Sequence, residues 1–439
     1  MFHISETINK NYRYFGLVAV IILGTVSIFG SGGGDGGVGT PPVITSVSPA
    51  QSSDSAVVTA LVTAQFSIDM EEASIDANSF TLVDNTMTAV TASNISYDVG
   101  TRIATFVPST DLESGMEYIA TLTTAVQDSA GNHPLSTNYV WSFRIAPTLV
   151  PVSLDSNGVY GNSASSNPAI DQTGRYIVFV SINNLVPGIN AGGIAQIYRK
   201  DTLTGGVRIV STDNTGLIAA DGASTAPVIS VDGRYIAFES SATNLVTGDT
   251  NGIPDVFLHD TQTTTTTRVS VATGGAQANG ASSAPAISAN GRYIAFQSTA
   301  PDLVTGDTNT VMDIFLHDTQ TPSTTSRVSV TTVGAEANGA SSTPAISGDG
   351  RYIAFQSAAT DLIATDTNGV TDIYLRDYQT PSTVRLSLPV GGAQPTSEST
   401  EAAISSDGRY VGFSSLANLD TANDTNGVRD IYRAHRTHQ

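Results

Sequence analysis

Residues 283–318 read SAPAISANGRYIAFQSTAPDLVTGDTNTVMDIFLHD. Five versions of this stretch fill the C-terminal two thirds of the chain. They are marked by Gly174-Arg175-Tyr176, Gly233-Arg234-Tyr235, Gly291-Arg292-Tyr293, Gly350-Arg351-Tyr352 and Gly408-Arg409-Tyr410, at steps of 59, 58, 59 and 58 residues. A fixed period of this size means stacked supersecondary units, none of which buries its apolar surface alone. Each unit divides into four strands. Strand a covers residues 285–288 in this copy. The dipeptide after it, Asn290-Gly291 here and Asp-Gly in three others, predicts a two-residue type I′ hairpin. Strand b is apolar without alternation at Tyr293-Ile294-Ala295-Phe296, which predicts burial on both faces. A long loop leads to strand c at 313–318, and a Thr-rich turn leads to strand d.

A four-stranded unit repeated in tandem predicts a β-propeller, one unit per blade. Strands a, b and c occur five times, so five blades are expected. Strand d occurs at 207–211, 267–271, 326–330 and 384–388, which is one copy short. The fifth copy is residues 150–154, ahead of the first a-b-c set. Pairing of 150–154 with the last strand c, at 431–434, is expected to close the ring and leave no open edge. The pattern P-A-I-S-x-D/N-G-R-Y-I-A-F followed by D-I-Y/F-L-x-D resembles the TolB-type β-propeller repeat, over residues 148–439. TolB propellers usually have six blades and follow a different N-terminal domain, so the resemblance does not imply a Pal-binding role. Propellers of this type also precede hydrolase domains in the prolyl oligopeptidase family. No G-x-S-x-G nucleophile elbow occurs in this sequence, and no peptidase activity is expected.

Residues 43–147 read as about seven short strands separated by Gly, Asp, Asn, Ser and Pro, which suggests a β-sandwich. Pro49, Phe66-Ser67, Met70, Phe106, Pro108, Leu112, Gly115, Tyr118, the run from Asp128 to Asn132 and Trp141-Ser142-Phe143 resemble the bacterial Ig-like domain first described in S-layer proteins. That resemblance implies a spacer or adhesive module. Trp141, the single tryptophan, is expected in the core. The run from Asp128 to Asn132 is expected to form an Asx-type turn rather than a calcium site.

Lys10 and Arg13 precede an apolar run at 15–29, too short to span a bilayer but suited to a secretory signal. The run resembles a bacterial lipoprotein signal with Ser31 where the lipid-bearing cysteine would stand. Residues 1–30 are therefore expected to be a signal or anchor, and 31–42 a Gly-rich linker. This places the protein outside the cytoplasm of a bacterium, in periplasm, at the surface or secreted, with membrane contact only through the N-terminal segment. The chain has 39 acidic and 19 basic residues, a formal charge of -20, and no cysteine. Clustered basic residues for nucleic acid are missing. Disulfides, thiolate metal sites and cysteine nucleophiles are excluded.

The sharpest polar motif is the loop before strand c. It supplies Asp249, Asn251 and Asp255 in the second repeat, and Asp307, Asn309 and Asp313 in the third. The fourth gives Asp366, Asn368 and Asp372, and the fifth Asp424, Asn426 and Asp430. Three oxygen side chains around a glycine turn are part of a calcium shell, which needs six to eight oxygens. The same residues also suit Asx-turns tied to backbone amides. Both readings stand at this point, with Ca2+ as the one candidate cofactor. The first repeat has Ile189, Asn190 and Gln196 instead, and the third has Thr310 for the glycine. The Arg of each G-R-Y and the Asp ending strand c (Asp201, Asp260, Asp318, Asp377) recur blade by blade, as scaffold ion pairs do. His259 and His317 vary with Arg376 and are expected on a solvated edge. The loops entering strand a, such as 278–282 and 337–341, should ring one mouth of a central channel. There the fifth repeat departs with Glu398 and Glu401, and the first with Tyr160.

The function expected is a non-enzymatic binding protein of the cell envelope, its propeller recognising protein or glycan beyond an Ig-like spacer. The alternative is a propeller glycoside hydrolase, which needs paired carboxylates. Only Glu398 and Glu401 are acids at unique positions, and no tryptophan platform for sugar lies in the repeats.

Overall fold

The computed structural model describes residues 41–436, apart from 131–132, 321, 390–393, 421–422 and 425. The expected export segment lies outside the described residues. No helix long and apolar enough to cross a membrane occurs among those described. Two compact units divide between Leu149 and Val150, two residues beyond the boundary expected from sequence.

Eight strands build the first unit: β1 (Ile44–Ser48), β2 (Ser53–Ala56), β3 (Val62–Phe66), β4 (Phe80–Asp84), β5 (Ala92–Asp98), β6 (Ile103–Pro108), β7 (Glu117–Leu122) and β8 (Tyr139–Ile145). They form two sheets, β1-β3-β6-β5 and β2-β8-β7-β4. The strand not expected is β2, a short polar segment that pairs parallel with β8. Inward residues alternate along β3 and β8 and close one core containing Phe66, Phe80, Phe106, Trp141 and Phe143. Trp141 is 1% exposed, its ring 6.0 Å from that of Phe80. Asp128 is buried and accepts the His133 N–H at 3.0 Å.

The second unit is five antiparallel sheets in chain order. The first is β9 (Ser165–Ile170), β10 (Tyr176–Ser181), β11 (Gln196–Asp201) and β12 (Val207–Ile209). The second is β13 (Ser224–Ile229), β14 (Tyr235–Ser240), β15 (Asp255–Asp260) and β16 (Thr265–Arg268). The third is β17 (Ser282–Ile287), β18 (Tyr293–Ser298), β19 (Asp313–Asp318) and β20 (Thr324–Arg327). The fourth is β21 (Ser341–Ile346), β22 (Tyr352–Ser357), β23 (Asp372–Asp377) and β24 (Ser382–Arg385). The fifth has three strands, β25 (Ser399–Ile404), β26 (Tyr410–Ser415) and β27 (Asp430–His435).

Burial on both faces of strand b holds. Ile294, Ala295 and Phe296 are all fully buried, because sheets stack on each side of them. Val256 and Val269 of the second sheet meet Phe296, Leu303 and Phe315 of the third in one apolar cluster. Each such side chain contributes about 1.5–3 kcal/mol by leaving water. The first strands of all five sheets line a common cavity of about 420 Å3, walled by residues such as Ile229, Ile287, Ile346 and Ile404.

Three expectations change. The a–b turn is not type I′, which needs positive φ at two residues. Among its residues only the glycine has positive φ, +72° at Gly233, and Gly233 N–H donates to Ser230 O at 2.9 Å. This is a type I turn followed by a left-handed glycine. Asp232 favours it by accepting from Ser230 Oγ and from Arg234 N–H. Strand d stops at Arg268 rather than Val271, because the Ser270 hydroxyl replaces the backbone as acceptor for Val256 N–H, at 3.0 Å. Lastly, residues 150–154 carry no named strand and do not pair with β27. Leu154 bridges Tyr160 instead, and Ile431 is 78% exposed where Val256, Ile314 and Ile373 are fully buried.

Candidate functional site

The G-R-Y arginines do what their repetition suggested. Arg234 Nε and Nη2 donate to the two oxygens of Asp260 at 2.8 and 2.6 Å, and Arg175–Asp201, Arg292–Asp318 and Arg351–Asp377 repeat that fork. Two parallel charge-assisted bonds fix geometry as well as charge. The Arg234 guanidinium beside it holds the Asp260 carboxyl down at about 2. These pairs join strand b to strand c in the first four sheets, while in the fifth Arg409 lies 3.5 Å from Asp407 of its own turn. They are scaffold.

The acidic loops close on an arginine that lies at the end of strand d. Arg268 Nη1 sits 3.2 Å from both Asp249 and Asp255. Arg327 Nη1 sits 3.3 Å from Asp307, 3.4 Å from Asp313 and 2.8 Å from Glu336. Arg385 Nη1 sits 3.1 Å from Asp366 and 3.2 Å from Asp372. Thus in the second, third and fourth sheets a guanidinium lies among the oxygens that a calcium ion would need. Calcium there must displace an arginine whose side chain is at least nine-tenths buried. Removing such an arginine strands buried carboxylates, at a cost of about 3–5 kcal/mol.

The asparagines make the Asx-turns. Asn251 Oδ1 accepts Ile253 N–H at 3.2 Å, and its amide donates to Ala278 O at 2.9 Å; Asn309 and Asn368 repeat both bonds. Burial pushes the Asp255 and Asp313 carboxyls up, against the pull of hydrogen bonds from Ser270 and Ser329. In the fifth sheet Asp424 accepts from the Tyr432 hydroxyl at 2.6 Å and Asp430 from Asn426 at 3.2 Å. Asp307, Asp313 and Glu336 are the one group of three metal-type ligands among the described residues, and Arg327 already lies among them.

A family model described as a bacterial Ig-like domain matches residues 38–145. That segment is a bacterial Ig-like domain. The Ig-like domain accounts for the first compact unit, and the five sheets lie beyond it. Among solved structures similar to the chain is a putative TolB from Agrobacterium tumefaciens, at 18% identity and a TM-score of 0.37, covering 57% of this chain and 70% of that one. TolB from Acinetobacter baumannii is similar at 13% identity and a TM-score of 0.37, covering 82% of this chain and 80% of that one. CopC from Methylosinus trichosporium OB3b is similar at 20% identity and a TM-score of 0.21, covering 25% of this chain and 98% of that one. No curated protein matches the sequence.

Outside the Ig-like domain, the loops entering strand a are anchored at their bases. Asn279 N–H donates to Asp302 at 3.0 Å and Asn338 N–H to Asp361 at 2.9 Å. Glu398 is ion-paired with Arg429. Glu401 has φ +61° and accepts from Ser414 Oγ at 3.1 Å. Tyr160 is 67% exposed. The histidines correct an expectation: His259 and His317 are buried, not solvated, each with Nδ1 about 3 Å from a strand-d threonine hydroxyl. Burial pulls the His259 imidazole down to about 4, so it is neutral at pH 7. The residues missed from sequence are Arg268, Arg327 and Arg385. Their signal was present, since the first repeat lacks both the acidic loop and the arginine, with Ile209 in its place.

Proposed function

We propose that the chain is an exported, non-enzymatic protein of the bacterial cell envelope. In this reading the Ig-like domain is a spacer, and the five sheets are the blades of one five-bladed propeller that binds protein or glycan. On closure of the ring, residues 150–154, which do not pair with β27 here, would supply the missing strand of the fifth blade. The observation that carries the reading is a cavity bordered by all five first strands near their turn ends, with the entry loops at the opposite ends of those strands tied down by Asp302 and Asp361. Loops positioned by a rigid scaffold are the usual place for recognition. The acidic loops of the second, third and fourth sheets, meanwhile, are occupied by arginine partners.

A glycan array and a pull-down with the full chain test this reading. Saturable binding that falls at least tenfold on Asn279→Ala with Asn338→Ala supports it. Polysaccharide hydrolysis lost in Glu401→Gln would replace it with the glycoside hydrolase reading.

A further inference from the structure

The first repeat sheet carries a charge pattern that the others do not. Arg199 on β11 and Arg208 on β12 are direct cross-strand partners. Like charges placed so repel. At the same register the second, third and fourth sheets have Leu258 with Thr267, Leu316 with Ser326, and Leu375 with Val384. The two arginines are therefore not part of the repeated scaffold. Neither forms an ion pair among the described residues, and Asp201, the carboxylate whose charge Arg199 feels, is already gripped by Arg175. The sheet has Ile189, Asn190 and Gln196 where its neighbours have their acidic loop.

Arg199 is held ready. Its guanidinium lies over the Tyr176 ring at 3.7 Å, and its Nε is buried without a hydrogen-bond acceptor. A buried donor without an acceptor is unfavourable. Both arginines line a cavity of about 280 Å3 between the first and second sheets, together with Thr212, His259, Thr261 and Thr264. Two guanidinium groups and hydroxyl donors make a site for a planar or tetrahedral oxyanion, which arginine grips through paired bonds. The volume is small for a ligand pocket, so an acidic group or one acidic sugar fits and a larger ligand does not.

We propose that this cleft binds an oxyanion, as the sulfate or carboxylate of an acidic saccharide; this rests on the glycan-binding reading above for the source of the ligand but not for the site. The cleft binds the anionic group through Arg199 and Arg208, on a protein whose net charge of -20 otherwise repels it.

The test is calorimetric titration of the full chain at low ionic strength with sodium sulfate, sodium glucuronate and glucose. Wild type is expected to bind at least one anion saturably and glucose not at all. The anion preferred distinguishes the sulfate from the carboxylate source. Arg199→Leu and Arg208→Thr each install the residue that the second sheet already carries, so both are expected to fold. Each should weaken anion binding at least tenfold. Sulfate stabilises folded proteins generally by exclusion, so the second readout is a difference: it should raise the wild-type melting temperature more than that of either variant. Absence of saturable anion binding, or equal binding and equal shifts in all three proteins, overturns the proposal. A positive titration with a blank glycan array sinks only the biological reading, and the reverse sinks only the cleft.

Discussion

A β-carbon on Gly291 would lie 2.3 Å from Cδ2 of Tyr235, because the turn of the third repeat sheet is pressed against the tyrosine ring of the second. Gly233 meets Tyr176, Gly350 meets Tyr293 and Gly408 meets Tyr352 in the same way. The two ends of the G-R-Y motif thus serve different sheets. The glycine receives the ring of the sheet before it, while the tyrosine lies under the turn of the sheet after it. Gly174, in the first sheet, meets only Ile170 Cδ1 at 3.9 Å, and Tyr410, in the last, is 37% exposed.

Gly291→Ala is therefore expected to be costly. It combines a left-handed φ of +72° with a ring that cannot withdraw. The first effect is worth about 1 kcal/mol and the overpacking a further 1–3 kcal/mol. Gly174→Ala has the left-handed φ alone while the ends of the array stay apart, and should lose only about 1 kcal/mol. Urea denaturation of the two variants measures both. Equal losses would mean that Tyr410 covers Gly174 in solution, as ring closure requires. A negligible loss at Gly291 would refute the glycine–tyrosine contact itself.

The third sheet should give the protein a distinctive pH response. Glu336 stands where the second and fourth sheets have Gln277 and Gln394, so Arg327 faces three carboxylates. Burial pushes the Asp307 carboxyl up to about 6, with neighbouring acids adding to it against the pull of Arg327. The Glu336 carboxyl is held down at about 2 by hydrogen bonds from Thr308, Arg327 and Asn309, against desolvation. A raised acid binds its proton more tightly when folded, so Asp307 withdraws stability as pH rises from about 4 to 6. A depressed acid does the reverse. The contribution of Glu336 is complete above its ordinary value and lost as pH falls toward about 2. Glu336→Gln removes a like charge beside Asp307. Wild type is expected to lose melting temperature between pH 4 and 6, and the variant is expected to flatten that fall. Melting curves at pH 4, 5 and 6.5 check it, and an unchanged slope in the variant would show that the acids do not interact.

Much of this fold is legible in the sequence because a repeat tests itself. A residue needed in each sheet recurs, so strand b, the Arg–Asp forks and the Gly-rich turns declare themselves by period. The arginine cores were harder. Arg268 lies 13 residues beyond Asp255, and only cross-strand register brings them together. The burial of His259 and His317 was hidden for a different reason: it is set by the stacking of neighbouring sheets, which leaves no periodic mark on strand c. The turn type is not legible because Asp232-Gly233 suits two hairpin types, and the Ser230 hydroxyl that bonds Asp232 decides between them.

The last strand of the fifth sheet is where sequence and structure part, and the remaining prediction concerns it. Residues 150–154 already sit partly in the role of a strand d. Val152 packs on the cluster of Phe179, Leu185 and Tyr198, as Val328 packs with Phe355, Leu362 and Tyr374. Leu154 bridges Tyr160 as Val271 bridges Gln277. What is missing is the pairing to β27, beside which lies a cavity of about 500 Å3 lined by Ser382, Val384 and Leu386 on one side and Ala434 and His435 on the other. The register of β15 with β16 places Asp255 opposite Ser270, whose hydroxyl donates to it at 2.5 Å. Carried to the fifth sheet, that register sets Asp430 opposite Ser153 and Tyr432 opposite Pro151. Proline is admissible there, since an edge strand tolerates a missing N–H on its outer side. The chain has no cysteine, so Ser153→Cys with Asp430→Cys gives an unambiguous readout. Closure predicts an intramolecular disulfide under mild oxidation and about 2–4 kcal/mol of added stability. It also predicts that the wild-type amides of Ile431 and Arg433 exchange as slowly as those of Ile373 and Leu375. Free thiols after oxidation, together with fast exchange at Ile431 and Arg433, would leave the fifth sheet three-stranded in solution; disulfides formed only between chains would assign the vacant edge to a second copy.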